Sequence, residues 1–385
     1  MNLFPIRLPL LAAIAGLALL TFSEGAQAGK TPPPPPVTYA LTFLAKNLTL
    51  PKMNETGVAV GWTAGTAPLA KARLADGTLV DLTDLAKNSD PDYAWSLLDY
   101  AMEINASGQI AGRGWRIEAG VPQARLFRYS PAQGGNSARL EAVRTFMGGT
   151  LHVEGMNDYG DVLLHETIDG SPDGIWVASG LPGQAVATKL LPLVGGTPSA
   201  INNFGQITGH LDTGTRSMAF RYTPGTSTTA SKTELFGTIT GSPATAYGQS
   251  NGNDINDLGV IAGSALKGHP TTGKEDTSPW AVRLNSSGTW ETVAGGGSSD
   301  ASAVNYQGVT VGNRTGVNGQ GFVFLSGKTY ALRDLVVNPP ANLSILYLPK
   351  DITDGGQICG EAAFANPDGS YQFGGGFVLT PIVAP

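Results

Sequence analysis

Few side chains in this sequence have the type and spacing that catalysis needs. The four histidines, His152, His165, His210 and His269, show no metal-ligand spacing such as His-x-x-x-His. There is no Gly-x-Ser-x-Gly elbow and no glycine loop of the phosphate-binding kind. Asp90 and Asp92 are neighbours in sequence, which does not by itself make an acid/base pair. Asn253-Asp254-Ile255-Asn256-Asp257-Leu258-Gly259 has several oxygens suited to calcium but lacks the spacing and closing glutamate of an EF-hand. Ser171-Pro172-Asp173-Gly174-Ile175-Trp176 reads as an ordinary turn. The expectation is therefore no metal and no cofactor, with calcium at that one loop as the alternative.

Binding chemistry is better represented. Trp62, Arg113, His165, His210, Ser264, Asn313 and Glu361 each stand eight residues after the polar residue that opens a recurring unit. The apolar positions of that unit converge on similar types, whereas this one diverges into polar and aromatic residues. A candidate binding rim follows, with a solvated strand end as the alternative. Tyr93 and Trp95, beside the acids Asp90 and Asp92, and Trp115, just past Arg113, extend it. Flat rings beside carboxylates receive sugars or cationic groups; Trp95 and Tyr100 can equally pack beneath a connection.

The unit itself is apolar-Asn-x-x-Gly-x-x-x-Gly. It recurs seven times, with its turn residues at Asn54/Gly57, Asn105/Gly108, Asn157/Gly160, Asn202/Gly205, Asn256/Gly259, Asn305/Gly308 and Thr353/Gly356. Successive copies lie 51, 52, 45, 54, 49 and 48 residues apart, a period in the range of propeller blades. Each copy reads as a hairpin. Asn accepts a hydrogen bond from the backbone two residues on, and Gly takes a left-handed conformation that closes the turn. The fifth and sixth residues after Asn are mostly apolar together, as in a strand buried on both faces. A second half follows each hairpin: an aromatic or aliphatic strand such as Met218–Tyr222 or Trp280–Leu284, then a turn and a short strand such as Thr233–Phe236 or Thr329–Leu332. Four short strands per repeat make one blade.

The pattern resembles the HAF-type repeats of bacterial extracellular proteins, which carry an Ile-Asn-x-x-Gly-x-Val-x-Gly hairpin followed by an Ala-Phe-aromatic strand. Ile201 to Gly209 with Ala219-Phe220-Arg221-Tyr222 is the best match, and the resemblance spans roughly residues 38 to 380. The third copy departs with Leu164 at the second glycine, and the seventh with Thr353 for Asn. The resemblance implies an architecture and no particular activity.

Taken in order, residues 1–28 read as a secretory signal peptide. Arg7 precedes an apolar core from Leu8 to Leu20, and Ala26-Gln27-Ala28 is a cleavage site of the A-x-A kind. The stretch 29–37 is a proline-rich linker, extended and semi-rigid. Residues 38–381 form the propeller, and 382–385 a short tail. Val37 to Leu44 resembles Lys328 to Leu335, the outer strand of the sixth repeat, whereas the seventh repeat lacks such a strand. The fold expected is thus all-β, a seven-bladed β-propeller closed by the N-terminal strand completing the last blade. Glycine is abundant (52 of 385) and charged residues scarce (14%), and helical periodicity is hard to find beyond the signal, which suits many short strands and tight turns. The net charge of −6 disfavours nucleic acid as a partner. Cys359 cannot form an internal disulfide and occupies a buried position of the repeat. The function read from these features is an exported, monomeric, non-catalytic binding module. Its partner is a glycan or an envelope component, without a membrane span after signal removal. The alternative is a carbohydrate-active enzyme on the same scaffold.

Overall fold

The computed structural model describes residues 37–382 except 45–46, 91–92, 146–149, 169–170, 181–186, 191–195, 215, 238–248, 268–277, 296, 316–319 and 366–370. The signal peptide, most of the proline-rich linker and most of the tail lie outside the described residues.

The strands form seven four-stranded antiparallel sheets. Their first strands are Leu48–Met53, Trp95–Ile104, Thr150–Met156, Gly196–Ile201, Ser250–Ile255, Ser299–Val304 and Leu343–Ile352. Each first strand contacts that of the next sheet, and the last contacts the first, so the sheets are blades around a common axis. Six blades are contiguous in sequence. The seventh combines Leu343–Ile352, Ile358–Ala365 and Tyr371–Ile382 with Thr38–Phe43 from the other end of the chain. That pairing runs from Thr38 opposite Ile382 to Phe43 opposite Phe377.

The turns explain why these residues make these hairpins. Gly57, Gly108, Gly160, Gly205, Gly259, Gly308 and Gly356 all have φ between +70° and +81°, a region that strains other residues. The amide of each donates to the carbonyl of the residue opening the turn. The second glycine has a different cause. A Cβ at Gly61, Gly209 or Gly263 would lie 1.8, 2.1 or 1.9 Å from a carbonyl oxygen of the first strand. Only a residue without a side chain permits that approach, which occurs where each first strand is bulged. Blade 3 departs: Leu164 pairs with Val153 and is buried in the cluster between blades 2 and 3.

The core lies between blades. The fifth residue after each Asn faces the preceding blade and the sixth the following one. Ala59 packs with Cys359 and Val378 of blade 7, and Val60 with Trp95 and Leu98 of blade 2. Three third strands add a charged clamp. Arg128, Arg221 and Arg283 stand opposite the small residues Ala111, Thr208 and Ala262. Each pairs with a fourth-strand glutamate and donates to the turn-glycine carbonyl of the next blade, at Gly160, Gly259 and Gly308.

Three expectations require correction. A helix, Leu82–Ser89, follows the outer strand of blade 1, capped by Asp81, which accepts from the amides of Thr83 and Asp84. Its two turns are too short to show a helical period, although the cap is legible. Leu332 begins a 3-10 turn through Leu335, so the outer strand of blade 6 ends at Ala331. Ser171 to Trp176 is not a turn but part of the strand Ser171–Ala178.

Candidate functional site

The turn rim carries two belts of hydrogen bonds that join blade to blade. In the first, the side-chain oxygen of each motif Asn accepts from the amide four residues on, as in Asn202 with Gln206 at 2.9 Å. Its amide group reaches the next blade. Asn54 donates to the Asn105 carbonyl (3.1 Å), Asn105 to Asn157 (3.1 Å), Asn157 to Asn202 (3.3 Å), Asn202 to Asn256 (2.9 Å), Asn256 to Asn305 (2.8 Å) and Asn305 to Thr353 (3.1 Å). Thr353 keeps the local bond, its hydroxyl accepting from Gln357 at 3.0 Å, but has no amide group to pass on. The seam between blades 7 and 1 is tied otherwise. Glu55 accepts from the backbone of Asp354 and Gly355, and Asp351 accepts from the Met53 amide at 2.9 Å.

The second belt uses the residue after Asn. Asp158, Asn203, Asp257 and Asp354 accept from the backbone amides of Ala106, Asp158, Asn203 and Tyr306, each in the preceding blade. These side chains surround a depression of about 190 Å³ at the axis. Met156, Ile201, Ile255, Val304 and Ile352 line it together with the acids. Burial raises the Asp354 carboxyl above its ordinary value, and the charges of Asp257 and Asp158 add to this. Burial likewise raises Glu55, against the bonds it accepts from Asp354 and Gly355.

A charged cluster occupies the first strands nearby. The Lys52 ammonium stands 3.9 Å from both Glu103 and Asp351. Burial opposes its charge, but Glu103, Asp351 and Asp254 outweigh that and hold its pKa above the usual lysine value. Burial pushes Glu103 up to about 7 against the attraction of Lys52. Burial and then the charge of Glu103 push Glu154 up to about 8. Sequence reasoning missed this cluster. Its signal was present: the residue two before the turn opener is charged at Lys52, Glu103, Asp254 and Asp351, beside the apolar residue that precedes each turn.

The residues eight after each turn opener lie on the second strands, each at the fourth position from the turn. Trp62 packs edge-on against Tyr100 of blade 2, ring centroids 5.2 Å apart. The Arg113 guanidinium lies 4.5 Å over the same Tyr100 ring and pairs with buried Asp99 at 2.7 Å. The exposed Trp115 indole donates to Asp99 at 3.3 Å. His165 is buried, its Nδ1 3.8 Å from Glu154, and its Nε2 has no hydrogen-bond partner among the described residues. Burial lowers its pKa, helped by His152 and His210. Nδ1 of His210 is 3.1 Å from Asn251 Oδ1 of blade 5. Ser264 offsets part of the rise that burial gives the Asp300 carboxyl of blade 6. Asn313 is buried, its Oδ1 without a partner among the described residues, and Glu361 accepts from Tyr347 at 3.3 Å.

Two rim assignments change. Trp95 is only 4% exposed and packs on Phe127 in the core between blades 1 and 2, so it leaves the rim. Half-buried Tyr93 packs on the same core. The eighth residue also does not mark the strand end everywhere. The second strands of blades 2, 3 and 7 run on to Glu118, Ile168 and Ala365, carrying Trp115 beyond Arg113. The oxygens of the Asn253–Gly259 stretch serve blade contacts: Asp254 accepts from the Val304 amide at 2.8 Å, and Asp257 from Asn203. Asn253 donates to Asp300 at 2.8 Å. Among the described residues, no group of three or more acids, histidines or cysteines is placed to hold a metal ion, and no helix is long and apolar enough to cross a membrane.

No protein-family model matches the chain, and no curated protein matches it. Solved structures do. TolB from Acinetobacter baumannii is 13% identical with a TM-score of 0.41, the match covering 71% of this chain and 61% of that one. A putative TolB from Agrobacterium tumefaciens is 11% identical with a TM-score of 0.38, covering 64% and 95%. A subtype N11 neuraminidase-like protein of A/flat-faced bat/Peru is 12% identical with a TM-score of 0.35, covering 90% and 98%. This chain therefore spans less than two thirds of the first of these. At such identities the likeness concerns the fold alone.

Proposed function

We propose that this chain is an exported, non-catalytic propeller of the HAF-repeat kind, which binds its ligand on the side of the ring away from the turns. One observation carries this reading. At a single register position, side chains differ from blade to blade, and two of them are buried with an unsatisfied polar atom, His165 Nε2 and Asn313 Oδ1. Such an atom costs about 1–3 kcal/mol when left without a partner, which marks a position where something other than stability sets the residue. A glycan or an envelope component fits this mixture of hydroxyl-seeking groups and flat rings. Export is supported by the signal-like residues 1–28. The test is an array of glycans and envelope components probed with the full mature chain, then repeated with Trp115→Ala and His210→Gln. Binding reduced about tenfold or more, with melting unchanged, is expected of an anchor. An array without binders, or binders indifferent to both changes, removes the reading.

The enzymatic alternative has its own observation. Glu103 and Glu154, with pKa values of about 7 and 8, keep the protonated form that a general acid needs near neutral pH. Turnover of a glycoside panel that Glu154→Gln abolishes would establish it.

A further inference from the structure

The geometry points to a second site on the opposite face: the turn rim is a docking surface for a segment of a partner protein, carrying a lysine or arginine flanked by apolar residues. Four exposed apolar side chains crown successive blades there. Tyr159 is 39% exposed, Phe204 56%, Leu258 50% and Tyr306 48%. The hydrogen bonds of the turns do not depend on the first three of these side chains. Their turns are held by backbone amides donating to Asn157, Asn202 and Asn256, bonds any residue would make. Tyr306 stands one position earlier in its turn, and in blades 1, 2, 6 and 7 the equivalent positions are Thr56, Ser107, Gln307 and Gly355, so the apolar crescent covers one side of the ring only. Exposed large apolar groups set close together mark an interaction surface.

The crescent borders the axial depression, which Tyr306 also lines. Glu55, Asp158, Asp254, Asp257, Asp351 and Asp354 line this depression; Lys52, 3.9 Å from Asp351, offsets Asp351 and Asp254, whereas among the described residues no lysine or arginine forms an ion pair with Glu55, Asp158, Asp257 or Asp354. Asp158, Asp257 and Asp354 share this depression, and beyond burial the charges of the first two push up the Asp354 carboxyl. An arriving cation relieves that repulsion. Between the carboxylates stand Ile201, Ile255, Val304 and Ile352. A long aliphatic stem with a charged head matches both surfaces at once, as lysine and arginine do. The neighbouring apolar residues of the same segment then cover Phe204 and Leu258. This site is independent of the one proposed on the other face.

The test is selection of a random displayed peptide library on the full mature chain. Enriched peptides are expected to carry lysine or arginine between apolar residues and to bind less tightly as salt rises. Asp257→Asn with Asp354→Asn keeps an oxygen for the backbone amides of Asn203 and Tyr306, gives up the second bond that Asp257 accepts from the Asn203 side chain, and should weaken those peptides about tenfold. Phe204→Ser with Leu258→Ser touches no hydrogen bond of the turns and should do the same. Trp115→Ala with His210→Gln on the other face should leave them unchanged. The proposal is overturned if nothing is enriched, if the enriched peptides lack a cationic residue, or if their affinity survives Phe204→Ser with Leu258→Ser. Loss of their affinity on the other-face changes overturns it equally.

Discussion

Asn202 was expected to make one local hydrogen bond, and it makes four. Its oxygen accepts from Phe204 and Gln206, and its amide group donates to the Gln206 side chain and to the Asn256 carbonyl of the next blade. It is also buried. Asn202→Ala is therefore expected to cost about 2–4 kcal/mol in denaturant unfolding, rather than the roughly 1 kcal/mol of a single local bond. Gly205, at φ +70°, should lose about 1–3 kcal/mol on replacement by valine, because a β-branched residue is strained there. Thr353 offers the reverse experiment. Thr353→Asn restores an amide group facing the Asn54 carbonyl and should stabilise by about 0.5–1.5 kcal/mol; a destabilised variant would mean that Glu55 already fills the seam. Arg113→Ala should destabilise measurably in the same assay, because it leaves buried Asp99 without its guanidinium.

Glu154 carries a prediction about pH. Its folded pKa of about 8 lies above the ordinary glutamate value of 4.5, so the folded chain holds a proton that the unfolded chain releases. Stability from this group is complete below the ordinary value and declines as pH rises towards about 8. Melting curves from pH 5 to 8 should show that decline in the parent and less of it in Glu154→Gln. Parallel curves would contradict the assignment.

At the scale of elements, the strand Thr38–Phe43 is the outer strand of blade 7, with Tyr39 buried and its carbonyl accepting from Val337. Deleting residues 37–44 should bare the edge of Tyr371–Ile382 and promote aggregation. Light scattering of the truncated chain decides this, and a soluble monomer with the parental melting temperature would contradict it. The hairpins were legible because their requirements are local: a residue that accepts φ near +75°, and a polar side chain that reaches the backbone two to four positions on. The helix Leu82–Ser89 escaped because two turns with two buried residues, Leu82 and Ala86, carry too little periodicity to be seen.

At the scale of the whole molecule, the ring settles which repeats touch, and this separates what the sequence determined from what it left open. Seven copies of apolar-Asn-x-x-Gly determined the all-β class, the number of blades and the burial of positions such as Val60 and Cys359, since strand alternation and turn chemistry act within a few residues. The destination of the Asn amide groups was not readable, because each bond joins residues about one repeat apart across two blades. Nor was the contact of Lys52 with Asp351, or of Glu55 with Asp354, which join opposite ends of the chain only when the circle is complete. Trp95 and Trp115 differ little in sequence context, yet one is core and the other exposed. Burial of that kind depends on the length of the hairpin and on the neighbouring blade. The acidic depression arises for the same reason: isolated carboxylates, harmless in their own turns, are brought face to face by rotation about one axis.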